Sequence, residues 1–443
     1  MGEAVTFRGM LAILERNFAG LSDVRRGENK TYSMRDAALA AFSVFYLQSA
    51  SFLAYQQAME DKQQRNNARS LFGIERIPSD PQIRNLLDPV LPSELSAPFW
   101  EIFSLLETAG AVPAYRRLGG EWLIALDGTQ YFGSTHIHCQ RCTVRLHNET
   151  EYYAHIAITP VLVAPGESQV ITLEPEFVQP QDGSEKQDCE RNASKRWLKR
   201  NAQRLAHHAV TRLGDDLYCN QPFCAQVLAQ KLHFIFTCKP DSHVTLFEEV
   251  ELLSRIGGVC ELCERVWNGQ AHAIWRYRYV NQVPLRAGAD ACFVNWCELT
   301  IVREGTGEQL YHNSFATDHS LSDANVAALV AAGRARWKIE NENNNVLKPY
   351  GYHLEHNFGH GQHSLSMILV LLNLLAFLVH TVLDLCDPIY QRLRTHLRVR
   401  QTFFNDLRTL TRYLCFDGWE QLLLFLYGQL ELDQPSVGRR RRR

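Results

Sequence analysis

Residues 365–383 read LSMILVLLNLLAFLVHTVL, nineteen positions without a formal charge. A bilayer crossing needs roughly 20 such residues, so the chain must either span a membrane here or enclose the run in a core. Ser366, Asn373 and His380 interrupt it, no second run resembles it, and neither an aromatic belt nor a close cluster of positive charge flanks it. These features predict a buried core helix and no membrane partner. The chain is long enough to bury one: 443 residues, 46% hydrophobic and 21% charged, the mix of a globular protein with two to four domains. Residues 1–18 carry Glu3, Arg8, Glu15 and Arg16 and no long apolar stretch. No secretory signal is therefore expected, which points to the cytoplasm. The 12 cysteines are then expected as reduced thiols or metal ligands.

The texture changes along the chain. Residues 1–118 read as helical, with Ser33 capping a run that continues through Asp36 and Ser79-Asp80-Pro81 opening another above Ile83, Leu86 and Leu87. Strand signals follow at 122–126, 156–163, 170–173, 209–213 and 232–238, with a helix from Asn192 to about His208. Strands with an intervening helix predict an α/β mixed sheet. Residues 239–318 are β-rich, 319–385 return to helix, and 386–443 are helical and end in the arginine run 439–443.

Two acids close predicted strands, Asp127 in Leu-Asp-Gly-Thr and Asp215 in Leu-Gly-Asp-Asp-Leu-Tyr. Carboxylates at strand C-termini are well placed for a site in an open α/β sheet. In Arg336-Trp337-Lys338-Ile339-Glu340 the arginine and the glutamate share one helix face. Trp337 and Ile339 are expected to pack that helix closely, leaving its polar face along a groove.

Together these three segments resemble the acidic motifs of an insertion-sequence DDE transposase, over about residues 30–385. The resemblance implies a ribonuclease-H-like core, 119–238 and 319–385, interrupted by the β-rich insertion 239–318. It also implies an N-terminal DNA-binding domain at 1–118 and a helical C-terminal region at 386–443. Asp127, Asp215 and Glu340 would be catalytic, with Asp216 as a rival for the second acid and Glu355 for the third. Tyr218 falls where the family has an aromatic. A Tyr-Arg-Glu-Lys signature is matched by Arg336 and Glu340, but Gly333 stands at the tyrosine position and Leu347 at the lysine position, with Lys348 one later.

Three acids imply metal chemistry: two Mg²⁺ ions, replaceable by Mn²⁺, can activate water or a 3′-OH and stabilise the leaving oxygen of a phosphodiester. The implied activity is cleavage and strand transfer at mobile-element ends, with double-stranded DNA (terminal inverted repeats and target) as partner, a homodimer as the acting unit and a nucleoid-associated location. A metal-dependent nuclease of the same fold shares every residue. A non-catalytic DNA-binding descendant is the other alternative.

The formal net charge of −2 excludes a uniformly basic nucleic-acid binder. Residues 189–212 nevertheless carry seven Lys/Arg against Glu190 alone. Lys195, Arg196, Lys199 and Arg200 are therefore expected at DNA, along with Arg336 and Lys348. His138, Cys139 and Cys142 have the spacing of half a structural Zn²⁺ site, with His147, His155 or Cys189 available to complete it; the alternative is a pair of reduced thiols in a loop. Cys260 and Cys263, with Cys292 and Cys297, form a second, weaker grouping. His353, His356, His360 and His363 read as a structural turn, without a metalloprotease motif.

Overall fold

The computed structural model describes residues 5–27, 30–59, 66–180, 188–267, 269–349 and 351–432. The arginine run 439–443 lies outside the described residues. The strands in chain order are β1 (Arg116–Arg117), β2 (Glu121–Ala125), β3 (Gly128–Ser134), β4 (Thr143–His147), β5 (Thr150–Ile158), β6 (Val161–Val163), β7 (Ile171–Thr172), β8 (Glu176–Phe177), β9 (Val210–Gly214), β10 (His233–Thr237), β11 (Cys260–Trp267), β12 (His272–Pro284), β13 (Phe293–Arg303) and β14 (Gln309–Thr317).

Ten of them form one mixed sheet in the order β11-β12-β13-β14-β10-β9-β2-β6-β7, with β1 on β2. β9 runs parallel to both β2 and β10, while β6 and β14 pair antiparallel on either side of that trio. The parallel strands are short and almost wholly buried, as strands covered on both faces are. The mixed α/β class expected from the sequence is therefore present. The remaining four strands form a second sheet, β3-β5-β4 with β8 on β5.

Three breaks align between the two sheets. β2 passes to β3 across Leu126-Asp127, β5 to β6 across Thr159-Pro160, and β7 to β8 across residues 173–175. The Thr159 N–H donates to the Asp127 carbonyl at 3.0 Å. Pro160 has no N–H to continue a ladder. Residues 156–163, read as one strand, are therefore two.

The strands of residues 239–318 continue the core sheet: β14 pairs with β10, Ile235 opposite Thr317.

The apolar segment forms the helix Leu365–Cys386, and 94% of its most apolar stretch is buried. It packs against Phe7–Ala19, Met34–Tyr46, Asp80–Leu87 and Ala97–Thr108 from one end of the chain, and against β7 and Pro388–His396. Arg400–Tyr413 packs on Phe52–Met59. Both ends are helical, as expected, and they share one core. Asn67 ties them together: its Nδ2 donates to the carbonyls of Thr411 and Leu414 at 2.8 and 2.7 Å. The helix starts follow the sequence signals, with Ser33 Oγ accepting from the Asp36 N–H at 3.0 Å and Ser79 paired reciprocally with Gln82.

Candidate active site and cysteine-histidine cluster

Asp127 leaves the sheet at the break between β2 and β3, and Asp215 follows the neighbouring parallel strand β9. Their carboxylates interact electrostatically. Burial pushes the Asp127 carboxyl up to about 7, and the negative charges of Asp215, Glu190 and Glu340 push the same way, while Arg336 opposes them. The Asn344 amide donates to Asp127 Oδ2 at 3.3 Å. Asp215, Glu340 and Arg336 are thus brought within electrostatic reach of Asp127 from separate segments of the chain.

Asp215 Oδ1 accepts the Leu217 N–H at 3.0 Å, closing a tight turn. Asp216 is turned aside: its Oδ1 accepts the Lys239 N–H at 2.7 Å and lies 3.4 Å from His243 Nε2. Tyr218 is buried behind the pair, its hydroxyl 2.9 Å from Ser194 Oγ.

Glu340 lies in a π-helical stretch, Ile339–Asn344, a widened turn of the kind often found at functional sites. Ile339 is buried, as expected, but Trp337 is 46% exposed, with the Arg336 guanidinium 5.4 Å from its ring centroid. Gly333, where the family signature has tyrosine, is buried against the sheet. A Cβ there would lie 2.8 Å from the Phe315 ring and 3.0 Å from Ile235, so the close helix-to-sheet approach leaves no room for a side chain. Glu355 is exposed and forms an ion pair with Lys348 at 3.0 Å.

One acid of the cluster was not anticipated. Glu190 opens the helix Glu190–Leu205, and its carboxylate lies over Gly128: a Cβ at Gly128 would sit 2.3 Å from Glu190 Cδ. Burial and the charge of Asp215 raise its ionisation point. In sequence it reads as an ordinary acid at a helix start. The only hint was its position, a single acid heading an otherwise basic segment.

The basic segment divides. Arg196 pairs with Asp188 at 2.7 Å and Glu176 at 3.4 Å, and Arg200 with Glu174 at 2.9 Å and Glu176 at 2.5 Å. These carboxylates are nearly or fully buried, so both arginines are committed to holding the helix onto the chain that follows β7. Arg212, counted with them, lies in β9, fully buried with its guanidinium 4.6 Å from the Trp197 ring centroid. Lys199 is exposed and Lys195 half-buried.

A second cluster lies at the far end of β3. Cys139, Cys142, His155 and His360 each offer one ligand atom, all within 4.8 Å of one another. His138, expected among them, points away: its Nδ1 lies 3.4 Å from the His136 carbonyl and its ring stacks on Tyr153. Cys189 is exposed. His155 comes from β5, while His360 comes from the turn before the apolar helix, 218 residues from Cys142. No local spacing announces it. Among the described residues, neither Cys260 nor Cys263 belongs to a group of three such ligands; the groups that do form include Cys219, Cys238 and His243.

No family model matches this chain, and no curated protein matches it.

Proposed function

We propose that the protein is a DNA transposase of the DDE type, cutting element ends and joining them to a target through a ribonuclease-H-like core. The observation that carries this reading is that Asp215 and Glu340 both come within electrostatic reach of Asp127, at the ends of adjacent parallel strands and in a packed helix. The strand order supports it too: an antiparallel pair beside a parallel trio, with helices in the crossovers.

The donor set fits hard divalent cations. Four carboxylates, counting Glu190, gather at this site; the Asp127 carboxyl is raised by burial and by the charges of the other three, with Arg336 opposing them, and a divalent cation would offset that charge. Asp127, Asp215 and Glu340 would hold two Mg²⁺ ions. When bound, such a pair supplies an activated oxygen nucleophile and stabilises the leaving oxygen. The chain's own contribution is positional. The Asn344 amide orients Asp127, the Leu217 N–H fixes Asp215, and Arg336 brings a positive charge to the same place. Lys195 and Lys199 present positive charge for a DNA backbone.

The test is cleavage and joining of DNA carrying the element's ends, with Mg²⁺ or Mn²⁺. Asp127→Ala, Asp215→Ala and Glu340→Ala should each abolish cleavage and leave DNA binding intact. A cutting Asp127→Ala protein would sink the assignment. Cleavage without transfer of 3′-OH ends would leave a nuclease of the same core, and lack of divalent-cation binding would leave a DNA-binding protein without catalysis.

A further inference from the structure

We infer that Cys139, Cys142, His155 and His360 form a closed, tetrahedral Zn²⁺ site that fastens the segment following Glu340 to the sheet that begins beside Asp127. The inference stands on geometry apart from the acid cluster. Zn–S bonds of about 2.3 Å and Zn–N bonds of about 2.05 Å at tetrahedral angles require ligand separations of about 3.8 Å between sulfurs and about 3.6 Å between sulfur and nitrogen. The observed separations are 3.9 Å for Cys139 Sγ to Cys142 Sγ, 3.4 Å from each of these sulfurs to His155 Nε2, and 3.5 Å for Cys142 Sγ to His360 Nε2. A disulfide needs about 2.05 Å between sulfurs, far less than the 3.9 Å seen.

The surroundings suit a metal thiolate. The Cys139 N–H lies 3.4 Å from Cys142 Sγ and the Arg141 N–H 3.4 Å from Cys139 Sγ, bonds that favour ionised sulfur. Three of the four residues are buried. Tyr131 stacks on His155 at 5.6 Å and Phe132 packs on His360 at 4.2 Å, so ring rotation is blocked. The turn bearing His360 is pinned from outside: Asp88 accepts the backbone N–H groups of Gln362, His363, Ser364 and Leu365 at 2.9–3.1 Å. Two thiolates and two imidazoles select Zn²⁺ over Mg²⁺. Four protein ligands leave no open position, so the site is structural. The Cys219, Cys238 and His243 group offers three ligands, and its histidine faces Asp216.

The test is elemental analysis of the full-length protein, produced with added zinc and purified without chelator. Wild type should retain a zinc equivalent that Cys142→Ser and His360→Ala remove, and that His360→Cys and Cys219→Ser keep. Co²⁺ in its place should give the intense visible bands of a tetrahedral site with thiolate charge transfer. If the variants fail to fold, titrating the wild type with a thiol-modifying mercurial should release the zinc in step with two thiols that react after the exposed Cys189, Cys260 and Cys263. A wild-type protein without zinc and without a tetrahedral cobalt spectrum would overturn the inference. So would undiminished zinc in a folded Cys142→Ser protein, or a Cys139–Cys142 disulfide in protein from reducing cells.

Discussion

At the scale of single residues, the cluster around Asp127 is a place where the fold gives up stability. Its carboxyl is buried beside three other acids, and functional sites commonly carry such a cost. Asp127→Asn should therefore raise the unfolding free energy by about 1–2 kcal/mol in metal-free buffer, read by denaturant melts with EDTA. Adding Mg²⁺ should stabilise wild type and leave the variant unchanged. Gly128→Ala tests Glu190. The new methyl would meet the Glu190 carboxylate, the free end of a side chain able to swing away. The variant should keep wild-type stability within about 1 kcal/mol yet lose cleavage as fully as Glu190→Gln does; equal cleavage by Gly128→Ala and wild type would remove Glu190 from the site. Asp127, Asp215 and Glu340 were legible because each ends or occupies a patterned segment. Glu190 and His360 were not, because their partners are set by tertiary packing and by no local spacing.

At the scale of elements, the helix Glu190–Leu205 has two kinds of positive charge. Arg196 neutralises Asp188 and Glu176, both nearly or fully shielded from water. Truncating it strands those carboxylates, so Arg196→Ala should cost about 2–4 kcal/mol of stability. Lys199→Ala should leave the melt unchanged and lower the slope of log affinity against log salt by about 1. A melt unaffected by Arg196→Ala would mean that its ion pairs are not structural. Composition alone could not separate these residues, since the acids that claim Arg196 and Arg200 belong to the strand and loop that precede the helix, at no helical spacing from them. Strand positions were largely legible from apolar runs. The division at Thr159-Pro160 was not, because it depends on where the chain leaves one sheet for the other. β3 and β4 were also missed: their residues carry too few apolar side chains to signal a strand.

At the scale of the whole molecule, His380 sits where both ends of the chain meet. Its Nε2 lies 2.9 Å from the Tyr46 carbonyl and its Nδ1 2.6 Å from the Tyr390 hydroxyl, so the neutral ring donates to the first and accepts from the second. Burial holds its ionisation point down at about 3, against an ordinary value of 6.5. Below about 6.5 the unfolded chain takes up a proton that the folded chain refuses. This contribution to stability is complete above that pH and is lost as pH falls towards about 3, by up to about 1.4 kcal/mol per pH unit. Denaturant melts between pH 7 and 5 should show that loss in wild type and a flatter response in His380→Phe; equal slopes would assign the acid sensitivity to other groups. That the apolar helix would be buried was legible from its composition, but not which helices cover it. The arrangement has a consequence for synthesis. The helix Met34–Tyr46 is made before its cover, Leu365–Cys386, which follows it by more than 300 residues. At about 5–20 residues per second, its apolar face waits roughly 15–60 s for a partner. Ribosome-bound chains arrested before residue 365 should therefore bind chaperones through these early helices, and release them once the apolar helix has emerged.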